Sequence, residues 1–176
     1  GLWGTVTGDP QMLEVIAAEN FIIPGGDGSV RFGDFHASLF HPMVNESGNV
    51  GFSARLVGDP TGDIGLFRYV DGELETVAAP GDDVPGAAPG TVFTGFNNLI
   101  PFSNNDALAL RGGMAGPGVN ESNDRAVFSH WFGGVTMMAR EGFGAPGLPG
   151  TTIESFGFTG PQINDAGQIA FTATTN

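Results

Sequence analysis

Residues 16–25 (IAAENFIIPG), 77–86 (VAAPGDDVPG) and 138–147 (MAREGFGAPG) align without a gap, and their register decides the reading of the whole chain. The pairs Pro24-Gly25, Pro85-Gly86 and Pro146-Gly147 stand 61 residues apart in both intervals. Upstream of each lie GLW (1–3), GLF (65–67) and AVF (126–128). Downstream come Phe32 with Phe35, Phe93 with Phe96, and Phe156 with Phe158. Each stretch then closes on a related hairpin: VNESGNVGF (44–52), FSNNDALAL (102–110) and INDAGQIAF (163–171). Register kept in four separate places predicts three copies of one unit, residues 1–64, 65–125 and 126–176, in one continuous repeat domain.

The residue types predict how each unit folds. Positions 65–70 read as a first strand, and Asp71-Gly72 as the tight turn into a second, because glycine accepts positive φ. The Pro-Gly segment ends that second strand, since proline has no N–H to give a ladder. A third strand is expected around the Phe pair. The fourth alternates apolar and polar residues, as at 49–56 and 168–174. Glycine or proline interrupts almost every window long enough for three helical turns. The expectation is an all-β chain of three four-stranded antiparallel meanders, arranged as β-propeller-like blades or as a linear stack. Three blades are fewer than a closed ring needs, so the unit is expected to pair with another copy or to continue in a longer repeat chain. On that reading residue 176 stops after a fourth strand and residue 1 opens a first one, so two chains follow head-to-tail with no element missing.

Composition removes whole classes of function. Six basic residues against 19 acidic ones leave a net charge of −13, which repels a nucleic-acid backbone. No cysteine is present, and all the basic residues are arginines. That excludes a thiol nucleophile, a disulfide, a Cys-ligated metal, a Schiff-base lysine and a P-loop lysine. Thirty glycines and twelve prolines are about twice the usual share. Even so, 40% hydrophobic residues and fifteen phenylalanines can offset the ordering entropy, so the chain is expected to fold. No apolar run is long enough to span a membrane, and GLWGTVTGDP at 1–10 lacks the regions of a signal peptide.

The hairpins carry a resemblance. Asn164, Gly167, Ala170 and Phe171 fit an N-x-x-G-x-x-A-F pattern, and Asn45, Gly48 and Phe52 repeat it with Gly51 in place of the alanine. With the V-A-x-x-G-D-x-x-P-G segment at 77–86, the chain resembles bacterial secreted tandem-repeat proteins built from N-x-x-G-x-x-A-F units, which are attached to the cell surface through interchangeable C-terminal anchors. The middle copy departs from the pattern, since Asn104-Asn105-Asp106-Ala107 lacks the glycine and Leu110 replaces the phenylalanine. The resemblance implies export and a surface location, and it brings no catalytic residues.

Candidate sites are few. Acidic, glycine-rich turns offer the oxygen donors that calcium takes, at Asp59, Asp63, Asp82, Asp83, Glu121 and Asp124. Their spacing matches no EF-hand loop, and solvated turn carboxylates are the plainer reading. His36 and His41 would point to opposite faces of one strand, and His130 lies in another unit. Trp3, in register with Phe67 and Phe128, is assigned to a core position, whereas Trp131 is out of that register and is the candidate for stacking on a sugar ring. Asp82 and Asp83 diverge as neighbours on an extended chain, unlike the facing carboxyls of a glycosidase. No nucleophile elbow or dinucleotide fingerprint appears, and the chain reads as non-catalytic. Asn45 and Asn120 both begin N-x-S acceptor patterns. The expectation is an extracellular structural repeat protein that assembles with its own copies. The competing expectation is a carbohydrate- or calcium-binding propeller module.

Overall fold

The computed structural model describes residues 1–5, 13–35, 41–58, 64–97, 100–131 and 133–176, and every regular element among them is a strand. The first seven are β1 (Leu2–Gly4), β2 (Glu14–Ala17), β3 (Arg31–Phe32), β4 (Met43–Val44), β5 (Val50–Val57), β6 (Ile64–Val70) and β7 (Glu73–Ala78). Then come β8 (Val92–Phe96), β9 (Leu108–Ala115), β10 (Arg125–Trp131) and β11 (Gly134–Arg140). The last four are β12 (Ile153–Phe156), β13 (Gln162–Ile163), β14 (Ile169–Ala170) and β15 (Ala173–Thr175). The protein is all-β, and its strand pairings are antiparallel.

Local chemistry places the turns. Asp71 and Gly72 sit at φ 52° and 88°, the left-handed pair that a two-residue hairpin needs between β6 and β7. Each Pro-Gly segment makes a type II turn: the N–H of Gly26, Ala87 and Leu148 donates to the carbonyl of Ile23, Val84 and Ala145. Proline pre-sets the first central residue of that turn, and Gly25, Gly86 and Gly147 take positive φ at the second.

The two large sheets run β3-β5-β6-β7, with β4 also on β5, and β8-β9-β10-β11. Each joins the third and fourth strands of one predicted unit to the first and second of the next, so hydrogen bonding crosses positions 64/65 and 125/126. The pairs β1-β2, β12-β15 and β13-β14 stand outside these sheets. Three details recur along the chain. A bulge falls between Leu2 and Trp3, between Leu66 and Phe67, and between Val127 and Phe128. Asn20, Gly81 and Gly142 donate backbone N–H bonds to Phe32, Phe93 and Ile153. Phe21, Asp82 and Phe143 accept in return from those same three residues.

The core lies between sheets as well as on them. Leu66 and Ala78 of the first large sheet pack with Phe93, Phe96, Leu108 and Phe128 of the second. Val127 and Ala139 pack with Ile153 and Phe156 beyond it. Phe32, Phe67, Phe93 and Phe128 are fully buried, each worth about 1.5–3 kcal/mol in surface removed from water. Gly51 shows why one copy of the hairpin lacks its alanine. A Cβ there would come within 2.9 Å of the Phe102 ring, so only a bare backbone lets that ring close.

Candidate functional site

The hairpin turns at 45–49, 103–107 and 164–168 share one local design. Asn45 Oδ1 accepts the N–H of Ser47 at 3.1 Å and of Asn49 at 3.0 Å. Asn164 Oδ1 accepts those of Ala166 at 3.0 Å and Gln168 at 2.9 Å. In the middle turn the Ser103 hydroxyl takes the asparagine's place, accepting from Ala107 N–H at 3.1 Å. These are the side-chain-closed turns that Asn and Ser favour. The left-handed position is filled by Gly48 (φ 81°), Asp106 (φ 58°) and Gly167 (φ 72°). Aspartate is among the few side chains that tolerate it, so the copy without glycine keeps the same backbone.

The turns are bonded to one another. The Asn45 amide donates to Asp106 Oδ1 at 2.7 Å and to the Ser103 carbonyl at 3.1 Å, and the Asn49 amide also reaches Asp106 Oδ1, at 2.9 Å. Glu46 N–H donates to Asn104 Oδ1 at 3.0 Å. One turn further on, Asn104 N–H donates to Asp165 Oδ1 at 2.8 Å, and its amide to Oδ2 at 3.0 Å. The Asn105 amide donates to the Asp165 carbonyl. Arg68 braces the column, donating to the Asp106 carbonyl at 3.3 Å and pairing with Glu75 at 2.7 Å. Carboxylate acceptors make the stronger hydrogen bonds, so Asp106 and Asp165 are the anchors of this column.

The four calcium candidates among the described residues are not gathered. Asp82 Oδ2 caps its own turn, accepting Ala79 N–H at 2.8 Å. Asp83 bridges to Val92 through its backbone, Glu121 is exposed, and Asp124 stands 4.0 Å from Arg125. Asp59 and Asp63 lie outside the described residues. Among the described residues no three His, Cys, Asp or Glu side chains come close enough to hold a metal ion.

Trp3 departs from its expected core position. Its register is as read, opposite Val15 on β2, yet it is 55% exposed because no strand among the described residues flanks the other edge of β1. Trp131 is half-buried, and its ring lies over Gly167, where a Cβ would fall 1.9 Å from the ring carbons. The Asn45 amide nitrogen, the atom a glycan would modify, is already spent in the turn column.

His36 is outside the described residues and His41 is exposed. His130 is buried, and its Nδ1 has no hydrogen-bond partner. Burial, with Arg68 nearby, pushes the His130 pKa down. Glu141 is buried too, and desolvation raises its pKa against the pull of Arg125. Neither burial has a signal in the sequence, because His130 is a polar residue inside β10 and Glu141 a polar residue just after β11. A cavity of about 310 Å³ gathers Arg111 and Arg125 with Thr94 and Asn97. Arg111 already donates to the Gly157 carbonyl at 2.7 Å, so it ties the second large sheet to the chain beyond β12. A smaller apolar cavity of about 200 Å³ is lined by Leu2, Trp3, Val44, Val50 and Tyr69.

What these features define is an all-β protein whose neighbouring antiparallel sheets are tied by apolar cores and by a column of hairpin turns. The chain belongs to a family of unknown function, DUF7453, whose model matches residues 1–176. No curated protein and no solved structure matches it.

Proposed function

We propose that this chain is a non-catalytic extracellular structural protein, a tandem array of β-units that assembles with further copies into a surface scaffold, fibre or adhesive matrix. The observation that supports this best is the turn column. Successive turns hold one another by the same kind of contact, Glu46 N–H on Asn104 Oδ1 and then Asn104 N–H on Asp165 Oδ1. The polar side chains of the turns are thus engaged in joining one hairpin to the next. In such arrays each unit is stabilised by its neighbour rather than by a core of its own. Export rests on the resemblance to secreted N-x-x-G-x-x-A-F repeat proteins. The occupied face of Trp131 favours the scaffold over a sugar-stacking module. With a net charge of −13, association should tighten as salt screens the repulsion between copies.

Electron microscopy of the purified chain, at low and at physiological ionic strength, tests the reading. Filaments, rings or ordered patches that grow with salt are expected. Single particles at every concentration and salt would overturn it.

A further inference from the structure

We propose that Leu2–Gly4 of one copy adds as a strand to the open edge of residues 170–172 of another copy, bringing Trp3 against Phe171. The inference rests on the self-assembly reading above and names the surface that carries it.

Strand pairing supplies the first argument. Inside the large sheets, β6 lies between β7 and β5, and β10 between β11 and β9. Phe67 stands opposite Phe52, and Phe128 opposite Leu110. β1 pairs with β2 through the same bulge that β6 and β10 show, but nothing among the described residues occupies its second edge. The hairpin that ends at Phe171 has the converse gap. Gln162 and Ile163 pair with Ala170 and Ile169 just as Met43 and Val44 pair with Gly51 and Val50, yet no strand among the described residues takes the outer edge of Ile169–Ala170 as β6 takes that of Val50–Gly51.

The rings and the turns repeat this complementarity. Phe67 packs on Phe32 at 4.7 Å and on Phe52 at 5.5 Å between centroids. Among the described residues Phe156 and Phe171 form a pair at 5.6 Å with no third ring, and the exposed Trp3 pairs with no other ring. In the turn column Glu46 N–H meets the Asn104 side chain, and Asn104 N–H meets the Asp165 side chain. The next step in that direction joins the Asp165 N–H of one copy to the Glu46 carboxylate of another, and neither group has a partner among the described residues. Strand, ring and turn are complementary between these two edges, and a second copy of this chain would supply all three at once. The register follows from the pairs Leu66–Ser53 and Phe67–Phe52: Leu2 faces Thr172 and Trp3 faces Phe171.

The chain has no cysteine, so single cysteines report on this register without background. A Leu2→Cys preparation is mixed with a Thr172→Cys preparation under mild oxidation, beside a control mixture of Val15→Cys with Thr172→Cys. Dominant mixed disulfide in the first pair alone is expected, because cross-linking needs Cβ atoms about 4 Å apart. Adding Trp3→Arg to the Leu2→Cys chain, with folding checked by circular dichroism, should abolish it. Sedimentation of the wild-type chain separates the ways to fail. Association with equal cross-linking in both mixtures overturns the strand pairing and leaves self-assembly through another surface. A wild-type monomer at all concentrations overturns both.

Discussion

The Asn45 amide and the Asp106 carboxylate meet at 2.7 Å across 61 residues of sequence, with the Asn49 amide converging on the same oxygen. Three constraints coincide at Asp106: it accepts both amides, its carbonyl receives Arg68, and its backbone is left-handed at φ 58°.

Those roles can be separated by substitution. Asp106→Gly keeps the backbone conformation, and even relaxes it, while removing the acceptor. Because the two amides then lose a charged partner in a part-buried site, the variant should lose about 1.5–3 kcal/mol despite the easier turn. Asp106→Asn, which keeps one side-chain oxygen and tolerates positive φ, should lose clearly less. Urea unfolding of both variants checks this, and equal losses would mean that backbone geometry dominates.

Gly48 and Gly167 occupy the same turn position but should respond differently to alanine. At Gly48 (φ 81°) a Cβ meets nothing within 4 Å, so the cost is the left-handed conformation alone, about 1–2 kcal/mol. At Gly167 (φ 72°) the Cβ would land inside the Trp131 ring, 1.9 Å from its nearest carbon. Gly167→Ala should therefore destabilise by more than Gly48→Ala and shift the tryptophan emission, which Gly48→Ala should leave unchanged.

The turn residues explain how far the sequence could be read. Asn, Asp, Ser, Gly and Pro act on their own backbone within a few residues, so the Asp71-Gly72 hairpin, the Pro-Gly turns and the motif turns at Asn45 and Asn164 were legible. Strand partners were not, because nothing within positions 50–57 says that β5 pairs with β6 across the predicted unit boundary. Trp3 shows the limit most clearly. Its register could be read from GLW against GLF, but its burial depends on a flanking strand, and periodicity does not say whether one lies there. The middle turn looked defective for lack of glycine, and only the φ of Asp106 shows that it is not. Likewise, the spacing of Asp82, Asp83, Glu121 and Asp124 could not say whether they converge.

Phe93 tests the inter-sheet core. It is 1% exposed, with the Phe96 and Phe128 rings at 4.9 and 5.0 Å. Phe93→Ala removes most of a ring from a cluster fed by both large sheets, and the cavity cannot collapse without moving a strand. A loss of about 3–5 kcal/mol in chemical denaturation is expected. A loss under about 1 kcal/mol would mean that the sheets do not depend on this contact.

His130 makes stability fall in acid. Burial disfavours its charged form, the Arg68 guanidinium adds to that, and Glu75 opposes it only in part, so its folded pKa lies below that of the unfolded chain. As pH drops through about 6.5 the unfolded chain takes up a proton that the folded chain refuses. Stability present at neutral pH is then lost progressively, by at most about 1.4 kcal/mol per pH unit for one group, until the folded histidine itself is protonated. Nδ1 has no partner to orphan, so His130→Leu should cost little at pH 7.5. Comparing urea midpoints at pH 7.5 and pH 5 should show a smaller acid loss in His130→Leu than in the wild-type chain. Equal losses would mean that His130 does not carry the acid sensitivity.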